Sequence, residues 1–151
     1  MNKKYIICLI ILFIWLGFIF IMSNTNSVDS TKQSKTLINK VLTTTNNITN
    51  IEIDSVTRKI HKPVRKLAHI TEFFILSIIV IMLLKNKIID YNKLLLISMS
   101  ICFIFACIDE FHQTFIPGRT GQFSDVLIDM IGVIFGCLLF NIYKRSIKRE
   151  A

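Results

Sequence analysis

The sequence predicts an all-α integral membrane protein: a bundle of four transmembrane helices, with a polar loop after the first and a short Pro-Gly-Arg loop between the third and fourth. Three observations predict it. Of 151 residues, 52% are hydrophobic and only 19% charged, where a soluble domain averages about 45–50% and ~25%. The mean hydropathy is +0.57. The cations are bunched beside apolar runs, at Lys3 and Lys4, at Lys85, Lys87 and Lys93, and at Lys144, Arg145, Lys148 and Arg149. That is the distribution expected where charge is excluded from hydrocarbon and attracted to anionic headgroups. The net charge of +8 therefore points to a membrane surface. Nucleic acid is not an expected partner, because no basic face with interleaved aromatics is present.

The length fits a single membrane domain over residues 1–151,. Tyr5–Met22 is an uncharged apolar run, longer than a usual signal core and followed by no small-x-small cleavage site, so a retained first span over 5–22 is expected,. Trp15 within it reads as packing, and Gly17 is a weak signal for close contact with another helix. Residues 23–64 turn to Ser, Thr and Asn and predict an aqueous loop,. Late in that loop Ile53, Val56, Ile60 and Val64 recur at helical spacing, with Arg58, Lys59 and Lys62 on other faces. This is either a basic amphipathic helix at the headgroups or a solvated linker helix, and His61 on it reads as solvated,.

The remaining runs are too short for the bilayer. Phe73–Leu84 gives roughly 18 Å of helix against a hydrocarbon thickness of about 30 Å. A full second span, 65–84, must begin near Arg65 and take His69 and Glu72 with it. Leu94–Ile108 becomes the third span, 94–113, only by drawing in Asp109, Glu110, His112 and Gln113. The fourth span, 126–143, contains Asp129. Four spans put the start of the second, the end of the third and the start of the fourth at one membrane face. Half of the 18 Lys and Arg crowd into the N-terminus, the 85–93 loop and the C-terminal tail, which predicts cytoplasmic termini and places the ionisable groups at the outer face.

Helical spacing aligns Arg65, His69, Glu72 and Leu76 on one stripe; Ser98, Cys102, Phe105, Asp109 and His112 on a second; and Asp125, Asp129, Gly132 and Gly136 on a third,. Gly132-x-x-x-Gly136 permits close helix approach, and an acid facing lipid is costly. The three stripes are thus expected to face a shared hydrated pocket. Pro117-Gly118 fits a type II turn folding Arg119 back over that pocket, and Ser124 or Asp125 can cap the fourth helix. The cysteines Cys8, Cys102, Cys107 and Cys137 lie in apolar runs without Cys-x-x-Cys spacing and read as packing residues,.

At these residues the chain resembles the VanZ-like family. Arg65-Lys-Leu-Ala-His69-Ile-Thr-Glu72-Phe-Phe-Ile-Leu76 is similar to its first signature. Asp109-Glu-Phe-His-Gln-Thr-Phe-Ile-Pro-Gly-Arg119-Thr-Gly-Gln-Phe-Ser-Asp125-Val-Leu-Ile-Asp129-Met-Ile-Gly132 is similar to its second. The resemblance extends over about residues 5–140. Phe73 stands where the family often has Tyr, and Asp129 where many members have Asn. The resemblance implies a small multi-pass protein of the bacterial cell membrane, from a family named for a protein associated with teicoplanin resistance. It implies a connection with envelope stress but no reaction.

Three chemistries suit the cluster. In the first it binds or processes an anionic lipid or a lipid-linked or glycopeptide-related envelope molecule. Arg119, with Arg65 or Lys66, would hold the anion, and Gln113, His112, Glu72 and Asp129 would complete the binding set. Glu110, Asp109, Asp125 and His69 would exchange protons with the bound group. In the second the buried charges only pair with one another and the protein is structural or accessory. In the third His69, Glu72, Glu110, His112 and Asp125 hold a metal. The absence of His-Glu-x-x-His, with Gln113 and Arg119 as neighbours, argues against that, so no metal or cofactor is expected. Transport is weaker still, since only one end of the bundle is polar.

Overall fold

The computed structural model describes residues 3–24, 50–117, 119 and 121–150, with side chains described for 3–24, 63–117, 119 and 121–144. All regular structure among them is helical: α1 (Lys3–Ser23), α2 (Asn50–Leu84), α3 (Tyr91–Gln113) and α4 (Phe123–Glu150). Four segments, Lys3–Ser23, Pro63–Leu84, Tyr91–Gln113 and Phe123–Lys144, are long and apolar enough to cross a membrane. The all-α four-span architecture is therefore as the sequence predicts.

Each span runs past its greasy stretch, and local chemistry sets the ends. α3 begins three residues before Leu94 because Asp90 caps it, its carboxylate accepting from the Asn92 and Lys93 amides at 2.9 and 3.2 Å,. α4 begins at Phe123, so Ser124 and Asp125 sit in its first turn and do not cap it. The Ser124 hydroxyl instead meets the Gln122 side-chain carbonyl at 3.3 Å, while Asp125 still lies where the helix dipole favours an anion,. Most of the expected aqueous loop, 25–49, lies outside the described residues. Residues 50–62 are helical and run into the second span through Pro63. That helical backbone suits both readings of the basic segment, whose side-chain surroundings lie outside the described residues.

The three inward stripes meet. α2 and α4 share the longest interface, and the glycine pair makes it possible. A Cβ at Gly132 would strike the Ile70 carbonyl oxygen of α2, and one at Gly136 would strike the Ser77 hydroxyl. Around this seam Phe73, Leu76, Val80, Ile81, Cys102 and Val133 form the apolar core. Cys102 and Cys137 are buried and all four cysteines are free thiols, in keeping with a packing role. Large side chains on the outer faces, including Phe13, Ile14, Leu96, Ile104, Phe135 and Leu138, are exposed in the way that contact with acyl chains requires.

α1 leans against α2 and α3. It is tied by a bond that the sequence does not signal: the Trp15 indole N–H donates to the Glu72 carbonyl of α2 at 3.0 Å, and Trp15 stacks on Phe18 with centroids 5.1 Å apart. A Cβ at Gly17 would meet nothing within 4 Å among the described residues, so Gly17 mediates no close approach to them. At the end away from the ionisable residues, Lys87 lies 4.0 Å over the Tyr5 ring and Lys144 lies 3.8 Å over the Tyr91 ring.

Two outcomes follow for thermal unfolding of the detergent-solubilised protein. Gly132→Leu must force α2 and α4 apart and should cost about 1–3 kcal/mol, whereas Gly17→Leu should leave the melting temperature unchanged. Trp15→Phe keeps the ring but removes the donor to Glu72, and should cost about 1 kcal/mol.

Candidate functional site

The polar end is assembled from α2, α3, α4 and the 114–122 connection. Glu72, Asp109, Glu110, Gln113, Arg119 and Asp129 are all buried, with Asp129 only 1% exposed. His69, half-buried on α2, sits between the acids of the other helices. Its Nδ1 lies 3.6 Å from the Asp129 Oδ1, 4.0 Å from the Asp109 Oδ2 and 3.9 Å from the Glu72 Oε2. Gln113, one turn after Asp109, donates from Nε2 to the Asp109 Oδ2 at 2.8 Å and so fixes that carboxylate.

The remaining candidate residues are placed at the edges of this group. Glu110 accepts the Gln122 amide at 2.8 Å, which pins the returning loop to the end of α3. Gly121 is pressed into the same place, for a Cβ there would lie 2.6 Å from the Glu110 carbonyl oxygen. His112 stacks on Phe20 of α1 with centroids 4.3 Å apart. Asp125 meets Lys66 at 3.4 Å across a partly exposed pair. Arg65 and Lys66 line a narrow cleft with His69, Asp125, Ile128 and Asp129.

The Arg119 amide donates to the Ile116 carbonyl at 3.1 Å, closing a turn that starts at Ile116. The type of that turn depends on Gly118, which lies outside the described residues. The turn does fold Arg119 back into the protein, where it is 8% exposed. Burial, then the like charge of Arg65, holds its guanidinium below its ordinary value, while Asp109, Glu110 and Glu72 act in the opposite direction. Arg119 remains a cation, set in the field of the acids on α2 and α3.

Beside this cluster a groove of about 160 Å³ runs between α1, α2 and α3. Leu16, Ile19, Phe20, Phe73, Phe105 and Ile108 give it apolar walls, and Asp109 and His112 close one end.

The set His69, Glu72, Glu110, His112 and Asp125, considered from sequence as metal ligands, is not the set that converges. Glu110 is engaged by the loop amide, His112 by the Phe20 ring and Asp125 by Lys66. The ligand atoms that come together are those of His69, Asp109 and Asp129, all within 4.8 Å of one another. Helical periodicity signals the inward stripes but not these partners. Phe20 and the Gln122 amide lie on segments with no ionisable pattern of their own.

The chain was compared with known proteins. No curated protein and no solved structure matches it. A protein-family model does, described as VanZ/LLP1 and aligned to residues 8–144. That match takes in most of the first span, the other three spans and the whole polar cluster, and the chain belongs to the VanZ/LLP1 family.

Proposed function

We propose that this multi-pass protein binds an anionic, phosphate-bearing lipid or lipid-linked headgroup at its polar end and exchanges protons with it there. One observation carries the reading: an apolar groove that has Asp109 and His112 in its lining lies on the same end of the bundle as the cations Arg65 and Lys66. A lipid has the matching polarity, with a chain for the groove and an anion for the cations. Arg65, Lys66 and Arg119 supply positive charge, and His69, Asp109, Glu110 and Asp125 supply groups able to donate or accept protons. The purely structural alternative is disfavoured by Asp129, Glu72 and His69. A network existing only to pair its own charges would satisfy its buried acceptors, yet both carboxylate oxygens of Asp129, the Glu72 Oε2 and the His69 Nδ1 have no hydrogen-bond partner among the described residues,.

With the termini in the cytoplasm the site faces outward, as an envelope role in a bacterium requires. A change in teicoplanin sensitivity on loss of the gene is the corresponding cellular readout.

Native mass spectrometry of the detergent-solubilised protein with equimolar phosphatidylglycerol and phosphatidylcholine tests the binding. The anionic lipid should be retained preferentially. Arg65→Gln and Lys66→Gln should each weaken that preference about fivefold, since a cation near an anionic surface contributes about 1 kcal/mol. Equal retention of the two lipids by the unmodified protein would remove the reading.

A further inference from the structure

We infer that His69, Asp109 and Asp129 form a binding site for one first-row divalent cation of the Mn²⁺ or Zn²⁺ class. The site requires no bound lipid; it shares His69 and Asp109 with the proton-exchanging groups of the headgroup reading but does not involve the cations Arg65 and Lys66.

Each ligand comes from a different helix: His69 from α2, Asp109 from α3 and Asp129 from α4. Their donor atoms lie within 4.8 Å of one another, with the His69 Nδ1 3.6 Å from the Asp129 Oδ1 and 4.0 Å from the Asp109 Oδ2. Ligand atoms bonded at about 2.0–2.2 Å to one metal stand roughly 3–4 Å apart, so small side-chain adjustments close the site.

A cluster of acids alone would not indicate a ligand, but the state of its acceptors does. Asp129 is 1% exposed and neither of its carboxylate oxygens has a hydrogen-bond partner among the described residues. Glu72, at 7% exposure, leaves its Oε2 in the same condition, 3.9 Å from the His69 Nδ1. Buried carboxylates left without donors are rare and costly. A dication supplies to several of them at once what one amide or hydroxyl gives to a single oxygen. The void lined by Arg65, Lys66, His69, Asp125, Ile128 and Asp129 is about 10 Å³, room for one water or one ion, and it reaches two of the three ligands, His69 and Asp129.

The surroundings are those of a held ligand set. Gln113 donates to the Asp109 Oδ2 at 2.8 Å, the kind of outer bond that orients a metal-binding carboxylate,. One imidazole with two carboxylates, and Glu72 beside them, is a mixed nitrogen and oxygen set. It suits Mn²⁺ or Zn²⁺ better than Mg²⁺, which prefers oxygen alone, or Cu⁺, which prefers sulfur.

The test uses the full chain in detergent, stripped with a chelator, desalted and titrated with Mn²⁺ while the free-ion electron paramagnetic resonance signal is followed. One saturable site per chain is expected, with Zn²⁺ displacing the Mn²⁺. Asp129→Asn and His69→Gln should weaken binding at least tenfold, in protein whose monodispersity on gel filtration shows it folded. Should those variants not fold, the unmodified protein still decides the matter, because bound Mn²⁺ must show ¹⁴N modulation in its electron spin echo from a directly bonded imidazole. No saturable binding of Mn²⁺ or Zn²⁺, or bound Mn²⁺ without ¹⁴N modulation, overturns the proposal. Repeating the lipid comparison in chelator separates the two readings, since the lipid preference depends on Arg65 and Lys66.

Discussion

The polar end depends on the approach of α2 and α4 across Gly132 and Gly136. Asp129 lies one turn before Gly132 on the same face, so the missing Cβ atoms set how near its carboxylate comes to His69. In lipid there is little hydrophobic force drawing one helix to another, and close packing of small residues is a principal source of association. The seam therefore holds the bundle together and presses ionisable groups into a small space.

Much of this was legible in the sequence because the bilayer is a strict solvent. Apolar runs as short as Phe73–Leu84 and Leu94–Ile108 cannot reach across it, so His69, Glu72, Asp109 and Glu110 must enter the spans. Period-3.6 spacing then assigns His69, Asp109 and Asp129 to inward stripes, and they are inward. The partners of these groups were not legible. Trp15 reaches a backbone carbonyl, Glu110 accepts a backbone amide, and backbone groups leave no mark in a pattern of side chains. Glu110 also falls off the α3 stripe, and its buried carboxylate is met by the Gln122 amide of the loop after Pro117. The start of α3 at Tyr91 was missed for a different reason: Asp90 is a preferred cap, but a reading by hydropathy passes over an acid lying between Lys87 and Lys93.

The site divides its charges by position. Glu110, His112 and Asp125 serve the shell, fastening the loop, α1 and the base of α2. His69, Glu72, Asp109 and Asp129 stay close together without donors enough for all their oxygens among the described residues, and Arg119 folds in from outside to oppose them. The imidazole is the only member of the inner group that can be neutral without a proton taken from elsewhere, and it stands at the centre.

At the far end, Tyr5 with Lys87 and Tyr91 with Lys144 form two rungs of ring and ammonium, chemistry that prefers the headgroup layer to either water or oil,. Rungs of this kind would favour holding that rim at the headgroups, so a bilayer thinner or thicker than the spans would be felt most at the opposite rim, where Arg65 and Lys66 lie. Access to the acidic interior would then vary with the composition of the surrounding membrane.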